Sequence, residues 1–157
     1  HDKRFHVDDV GAIALLSSYY DKQGIAVQLV RSRDPELLEK ADILIDVGGV
    51  YDPNNNRFDH HQEGCNEVFN QGFKIPLSSI GMVWKHYGSD LLKLYIENHP
   101  VFKPYPWTDH IEQLVTEVYI KIILELDGHD NGILPIEGGK KNYNTYLSLS
   151  NIISSMN

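Results

Sequence analysis

Asp59-His60-His61 sets two imidazoles and a carboxylate side by side, just downstream of the apolar run Ala41–Asp46 and the pair Gly48-Gly49. A second cluster, His1, His6, Asp8 and Asp9, opens the chain, so four of the eight histidines lie in two short segments beside acidic residues. A third acidic stretch, Asp127-Gly128-His129-Asp130-Asn131-Gly132, comes late in the chain. Mixed His/Asp sets of this kind are what one or two divalent cations need. The chemistry they point to is metal-assisted hydrolysis of a phosphate ester, in which cations generate hydroxide and neutralise the phosphoryl oxygens. A carboxylate such as Asp46 can bridge two ions roughly 3.5–4 Å apart, with His and Asp on either side completing each shell. Imidazole donors favour Mn2+ over Mg2+, and the all-oxygen preference of Ca2+ argues against calcium.

Each cluster also has a plain structural reading. Asp-His-His can be a surface turn. His6-Val7-Asp8-Asp9 can be a helix start, where acids suit the positive end of the dipole. Asp46 can cap a turn, and Asp127 to Gly132 can be an ordinary Asp/Asn/Gly loop. The order decides between the readings: a His-x-Asp near the start, an Asp closing a buried strand, an Asp-His-His after it, and a final Asp after a long helix.

The elements that must position these groups are legible in outline. Residues 9–20 are helix-compatible and follow the first cluster directly. Ile25 to Arg31 is rich in β-branched and apolar residues, is bounded by Gly24 and predicts a strand. Asp34-Pro35-Glu36 predicts a helix start, with Asp at the cap and Pro in the first turn. Ala41 to Asp46 predicts a short strand of the kind buried on both faces of a parallel sheet. Helix, strand, helix, strand indicates an α/β fold, a parallel sheet flanked by helices. Functional groups of such folds gather at the carboxyl ends of strands, where Asp46 lies. The turn-rich loop Tyr51 to Asn56 then delivers Asp59-His60-His61. Farther on, a helix from Ser78 to Tyr87 is expected to stop at Gly88 and a second, Ser89 to His99, at Pro100. After a connector over 100–106, a long helix is expected from Asp109 to about Leu126. Its apolar face would carry Ile111, Leu114, Val115, Val118 and Ile122. Another helix is expected to begin at Tyr146.

At 157 residues, 41% hydrophobic and 23% charged, the chain suits a single globular domain. The net charge of −8 argues against a simple basic surface for nucleic acid. It leaves a phosphate substrate open, because bound cations cancel or invert local negative charge. Cys65 is the only cysteine, which excludes a disulfide framework and a Cys-based zinc site. No run approaches the roughly 18 apolar residues of a membrane span, so no membrane association is expected. Both ends read as cut.

The clusters and the segments around them resemble the melanocyte-proliferating-gene exonuclease family, and more broadly the DHH phosphoesterase superfamily, whose signature is the Asp-His-His. The similar stretches are Phe5-His6-Val7-Asp8-Asp9, Arg31-Ser32-Arg33-Asp34-Pro35, Asp46-Val47-Gly48-Gly49, Tyr51-Asp52-Pro53, Asp59-His60-His61-Gln62, Leu77-Ser78-Ser79-Ile80-Gly81 and Asp127 to Gly132. The resemblance implies a DHH phosphoesterase-like amino-terminal domain over 1–157, lacking a carboxy-terminal substrate-binding portion. It implies a 3′–5′ exoribonuclease with two Mn2+ (or Mg2+) ions, acting on single-stranded RNA. A small phosphate ester is the alternative substrate, and a non-catalytic metal-stabilised binding domain the alternative role. In this assignment His1, His6 and Asp46 hold one ion, and Asp8, Asp46, His60 and Asp127 the other. Asp46, His61 and Asp59 form the catalytic group: His61 meets the phosphate and Asp59 orients its neighbouring histidine. Arg57, Asp130 and Asn131, with His61, are expected against the substrate. The resemblance further implies an intracellular protein of nucleus and/or mitochondrion, with cytoplasm and oligomerisation left open. Two departures are visible: Asp2 and Lys3 stand where the family has other residues, and Asp9 where it usually has Glu.

Overall fold

The computed structural model describes residues 5–102 and 106–147. His1 and the helix expected from Tyr146 onward, beyond residue 147, lie outside the described residues.

Helix α1 (Val7–Asp21) starts directly after His6, whose backbone N–H is taken by the Asp9 carboxylate at 3.1 Å. It lies against α3 (Ser79–Asn98), and Gly11 makes the approach feasible: a Cβ there would fall 2.4 Å from Ile80 Cδ1. The short helix α2 (Pro35–Glu39) begins as its sequence dictates, with the Asp34 side chain accepting the Glu36 N–H at 3.0 Å.

The sheet is smaller and more mixed than the pattern predicts. Strand β1 (Leu44–Ile45) pairs in parallel with β3 (Arg57–Phe58), and β2 (Tyr51–Asp52) pairs antiparallel with the other edge of β3, giving the order β1-β3-β2. Parallel pairing is therefore present, in one pair of strands. A separate hairpin joins β4 (Ile136–Glu137) to β5 (Lys140–Lys141). Ile25 to Arg31, expected as a strand, is not one among the described residues, and Ile25, Val27, Leu29 and Val30 are half or more exposed. Strand-forming residues register propensity, but a strand exists only where a neighbouring edge receives its hydrogen bonds. Here the segment borders an apolar cleft of about 660 Å³ that separates it from α1 and β1.

Two helical expectations also need correction. Gly88 does not end a helix: α3 runs through it to Asn98. The glycine is buried under the Trp84 ring, where a Cβ would lie 2.9 Å from two ring carbons. The indole in turn donates to the Val115 carbonyl at 3.1 Å, tying α3 to α4 (Ile111–Val118). After a turn at Trp107–His110, α4 passes through a π-helical turn (Tyr119–Ile123) into α5 (Leu124–Asp130), so Asp127 is helical and not in the following loop. The π turn rotates the expected apolar face. Ile122 is exposed, and Ile123 and Leu124 enter the core with Ile111, Val115 and Tyr119. Phe58, Leu77, Met82, Val83 and Trp84 complete that core beneath the sheet and α1. Among the described residues no helix is long and apolar enough to cross a membrane.

Gly88→Ala is expected to destabilise the fold by about 1–3 kcal/mol, because the added methyl overpacks against Trp84. Urea unfolding checks this. The modest gain usual for Gly→Ala in an open helix would contradict the packing.

Candidate metal centre

Four elements converge. The first turn of α1 brings Asp8, preceded by His6; the turn after β1 brings Asp46; the loop after β3 brings His60 and His61; the last turn of α5 brings Asp130. His60 stands in the middle. Its Nε2 lies 3.1 Å from Asp130 Oδ2, 3.6 Å from Asp46 Oδ1 and 3.9 Å from Asp8 Oδ2. His6 Nδ1 is 3.9 Å from Asp130 Oδ1. Two groups of potential ligands result: Asp46, His60 and His61, and beside it His6, Asp8 and Asp130. Within each group the ligand atoms lie within 4.8 Å of one another.

The backbone is bent to produce this. Asp46 has φ +59°, a left-handed conformation that costs a non-glycine residue about 1–3 kcal/mol. Its N–H is held by the Phe58 carbonyl at 3.0 Å, which fixes the carboxylate at the end of β1. The positive-φ glycines Gly48 and Gly49 follow, and the Gly49 N–H donates to Asp59 Oδ2 at 2.6 Å. The other oxygen of Asp59 accepts the His61 N–H at 3.0 Å and lies 2.7 Å from His61 Nδ1. Asp59 is buried and outside both groups; it fixes the ring of His61, whose side chain remains 49% exposed.

The amino end of α3 also takes part, through a residue to which the sequence reading gave no site role. Ser79 donates its N–H to Asp8 Oδ2 at 3.3 Å and its hydroxyl to Asp46 Oδ1 at 3.4 Å. Its sequence signal is the stretch Leu77-Ser78-Ser79-Ile80-Gly81, in which a Ser-Ser pair opens a helix. Asp127, assigned to a metal by resemblance, is placed elsewhere. Its Oδ1 accepts the N–H and hydroxyl of Ser78 at 3.0 and 2.7 Å, and its Oδ2 accepts the Tyr119 hydroxyl at 3.0 Å. One turn later on the same helix, Asp130 stands with His60 and His6. Arg57, expected at substrate, donates to the carbonyls of Ala41 and Asp42, each at 3.2 Å. Asn131 donates to the carbonyls of Pro76 and Asp127, each at 2.9 Å. Both side chains brace the scaffold behind the centre.

Electrostatics follow from the crowding. Burial and the neighbouring charges of Asp130 and Asp46 push the Asp8 carboxyl up to about 6. Burial opposes protonation of His60, but hydrogen bonding to Asp130 and Asp46 and the charges of Asp130 and Asp8 outweigh it, raising the ring to about 10. Burial would raise Asp46 as well; the His60 hydrogen bond and the charges of His61 and His60 bring it below the usual carboxylate value. Asp8, with no exposed surface, has an Oδ1 without a hydrogen-bond partner among the described residues. A buried carboxylate oxygen so left, facing two other carboxylates and an imidazole, is costly unless a cation joins it. The donor set suits a divalent metal ion.

Compared with known proteins, residues 1–157 match throughout the profile of the MYG1 exonuclease family, described as an uncharacterised protein family, UPF0160. The chain belongs to that family. It is 38% identical over 137 residues to the MYG1 protein of Dictyostelium discoideum, covering 85% of this chain and 37% of that protein. To the MYG1 protein of Saccharomyces cerevisiae it is 37% identical over 166 aligned positions, covering 100% of this chain and 46% of the yeast protein. The human MYG1 exonuclease is 32% identical over 162 positions, covering 100% of this chain and 41% of the human protein. The chain thus spans less than half the length of these relatives. No solved structure matches it.

Because Asp8 and His60 hold protons that a cation must displace, Mn2+ affinity is expected to climb as pH rises from 5 through 7, with protons released on binding. Calorimetry in buffers of different ionisation enthalpy checks both. A pH-independent affinity would contradict the arrangement. Asp130→Asn is expected to weaken Mn2+ binding by about tenfold or more. Asp127→Asn should leave the number of bound ions unchanged while lowering the melting temperature.

Proposed function

We propose that this chain carries the metal-dependent nuclease centre of its family, hydrolysing the terminal phosphodiester of single-stranded RNA from the 3′ end with two Mn2+ or Mg2+ ions. The fold reading that goes with it is a DHH phosphoesterase-like domain. The observation that carries the proposal is the pair of adjoining His/Asp groups around His60, with Asp46 at the bend after β1. The exonuclease names of the human and bovine relatives support it.

Asp46, His60 and His61 would hold one ion and His6, Asp8 and Asp130 the other, with His1 left as a further donor by resemblance. When bound, such ions supply hydroxide near neutral pH and stabilise charge on the phosphoryl oxygens. The protein's own groups prepare that chemistry. Ser79 fixes the carboxylates of Asp8 and Asp46 through one N–H and one hydroxyl. Asp59 sets the ring of His61 for its place in the group with Asp46 and His60. The three carboxylates repel a phosphodiester until cations reverse the local sign, so substrate engagement depends on metal. The residues that the longer relatives carry beyond this region would add grip on the strand.

Replacing Asp46 by Asn is expected to cut hydrolysis of end-labelled single-stranded RNA on the order of a thousandfold in Mn2+, the loss of several kcal/mol of transition-state stabilisation. Full activity in a folded Asp46→Asn protein would overturn the proposal. Phosphate release from small nucleotides with RNA left intact would overturn its RNA part.

A further inference from the structure

Phe5 lies at the entry to α1. It is 69% exposed and directly precedes His6, a member of one ligand group. An apolar ring at the start of α1 has an ordinary role open to it, stapling the helix entry by packing on Val10 one turn ahead. Its exposure, and that of Val10 at 45%, speaks against that use. The ring sits instead under the Arg31 guanidinium, 3.9 Å from its centroid. Arg31 is itself anchored 3.5 Å from the buried Asp9 carboxylate, whose other oxygen accepts the His6 N–H. The ring is therefore held against a fixed cation while the residue stays largely exposed. Its backbone is pinned at the edge of the candidate centre, with Cα atoms of Phe5 and His6 about 3.8 Å apart.

The geometry points to Phe5 as a stacking platform for the terminal base of a nucleic-acid strand whose phosphate lies at the metal groups, with Arg31 as the prop that sets the ring. This rests on the nuclease reading and names how that site would take its substrate. A chain of net charge −8 has few cations to spend on phosphates, so sequence-independent affinity must come largely from elsewhere. Stacking supplies it, because every base offers a π-face, and a terminal exonuclease site needs that tolerance. The Arg31 charge above the ring strengthens the assembly by cation–π attraction.

The test uses a short RNA with a hydrolysis-resistant 3′-terminal linkage and 2-aminopurine as its last base, titrated with the wild type, Phe5→Ala and Phe5→Trp in Mn2+. The wild type is expected to quench the fluorophore. Phe5→Ala should bind about tenfold more weakly and without quenching, at an unchanged melting temperature, and Phe5→Trp should retain both. An RNA ending in an abasic ribose should bind wild type and Phe5→Ala alike. Equal quenching by wild type and Phe5→Ala, absent quenching in all, or no preference of the wild type for a base over an abasic end would overturn the platform. Metal-dependent hydrolysis unaffected by Phe5→Ala would sink the platform alone. Quenching that Phe5→Ala abolishes, with no hydrolysis in any metal, would keep the platform and sink the nuclease reading.

Discussion

Two buried carboxylates accept hydrogen bonds from the first turn of one helix, and the arrangement of the other elements depends on it. Asp8 takes the N–H of Ser79 and Asp127 that of Ser78, at the amino end of α3. Neither acid has exposed surface. The first N–H groups of a helix have no partner within it, and its dipole favours negative charge there, so this is among the few places in a core where a carboxylate can be kept. The same bonds bind α1 and α5 to α3. Gly11 and Gly81 make room for the junction: a Cβ on Gly81 would sit 2.3 Å from the Asp127 carboxylate. Compensation is incomplete, since burial still outweighs these bonds and lifts Asp127 to about 7. The Tyr119 hydroxyl completes its shell, and the π-helical turn containing Tyr119 separates it from Asp127 by eight residues of continuous helix.

The centre above this junction is a problem in local charge balance. Asp8, Asp46 and Asp130 all face His60, and in the absence of a cation the imidazolium neutralises part of their charge. A divalent ion would take over that role and release the proton. If a cation binds as proposed, the protons on His60 and Asp8 couple occupancy of the centre to pH. The strained backbone at Asp46 belongs to the same economy of space. A left-handed turn directly after β1 swings the carboxylate back toward His60, where a regular continuation of the strand would carry it onward along the sheet.

The small sheet shows what pairing adds to propensity. β1 and β3 run parallel because the loop between them, with its Gly48-Gly49 bend and Pro53–Asn55 turn, returns the chain through β2 before β3 lies down beside β1. Arg57 then locks the joint by donating to the carbonyls of Ala41 and Asp42, which explains a cation at that position without reference to substrate. Ile25 to Val30, with strand-like composition, lies beside a cleft and receives no ladder among the described residues.

The clustering of His and Asp side chains in this protein was legible in residue types and order. Asp46, Asp59, His60 and His61, the His6-x-Asp8 pair and a late acidic stretch marked a His/Asp centre. Asp34-Pro35 marked a helix start, and Ala41 to Asp46 a strand delivering an acid at its end. These are local signals, set by a few neighbours along the chain. What the sequence could not determine is which nearby acid turns inward. Asp127 and Asp130 are three residues apart and look equivalent in a string, yet a π turn upstream sets the helix phase that sends one to Ser78 and the other to His60. Whether Gly88 ends a helix, whether residues 25–31 find a partner edge, and whether Arg57 faces substrate or backbone were likewise settled by contacts distant in sequence. Local composition specifies what a residue can do; only the packed core decides which neighbour it does it with.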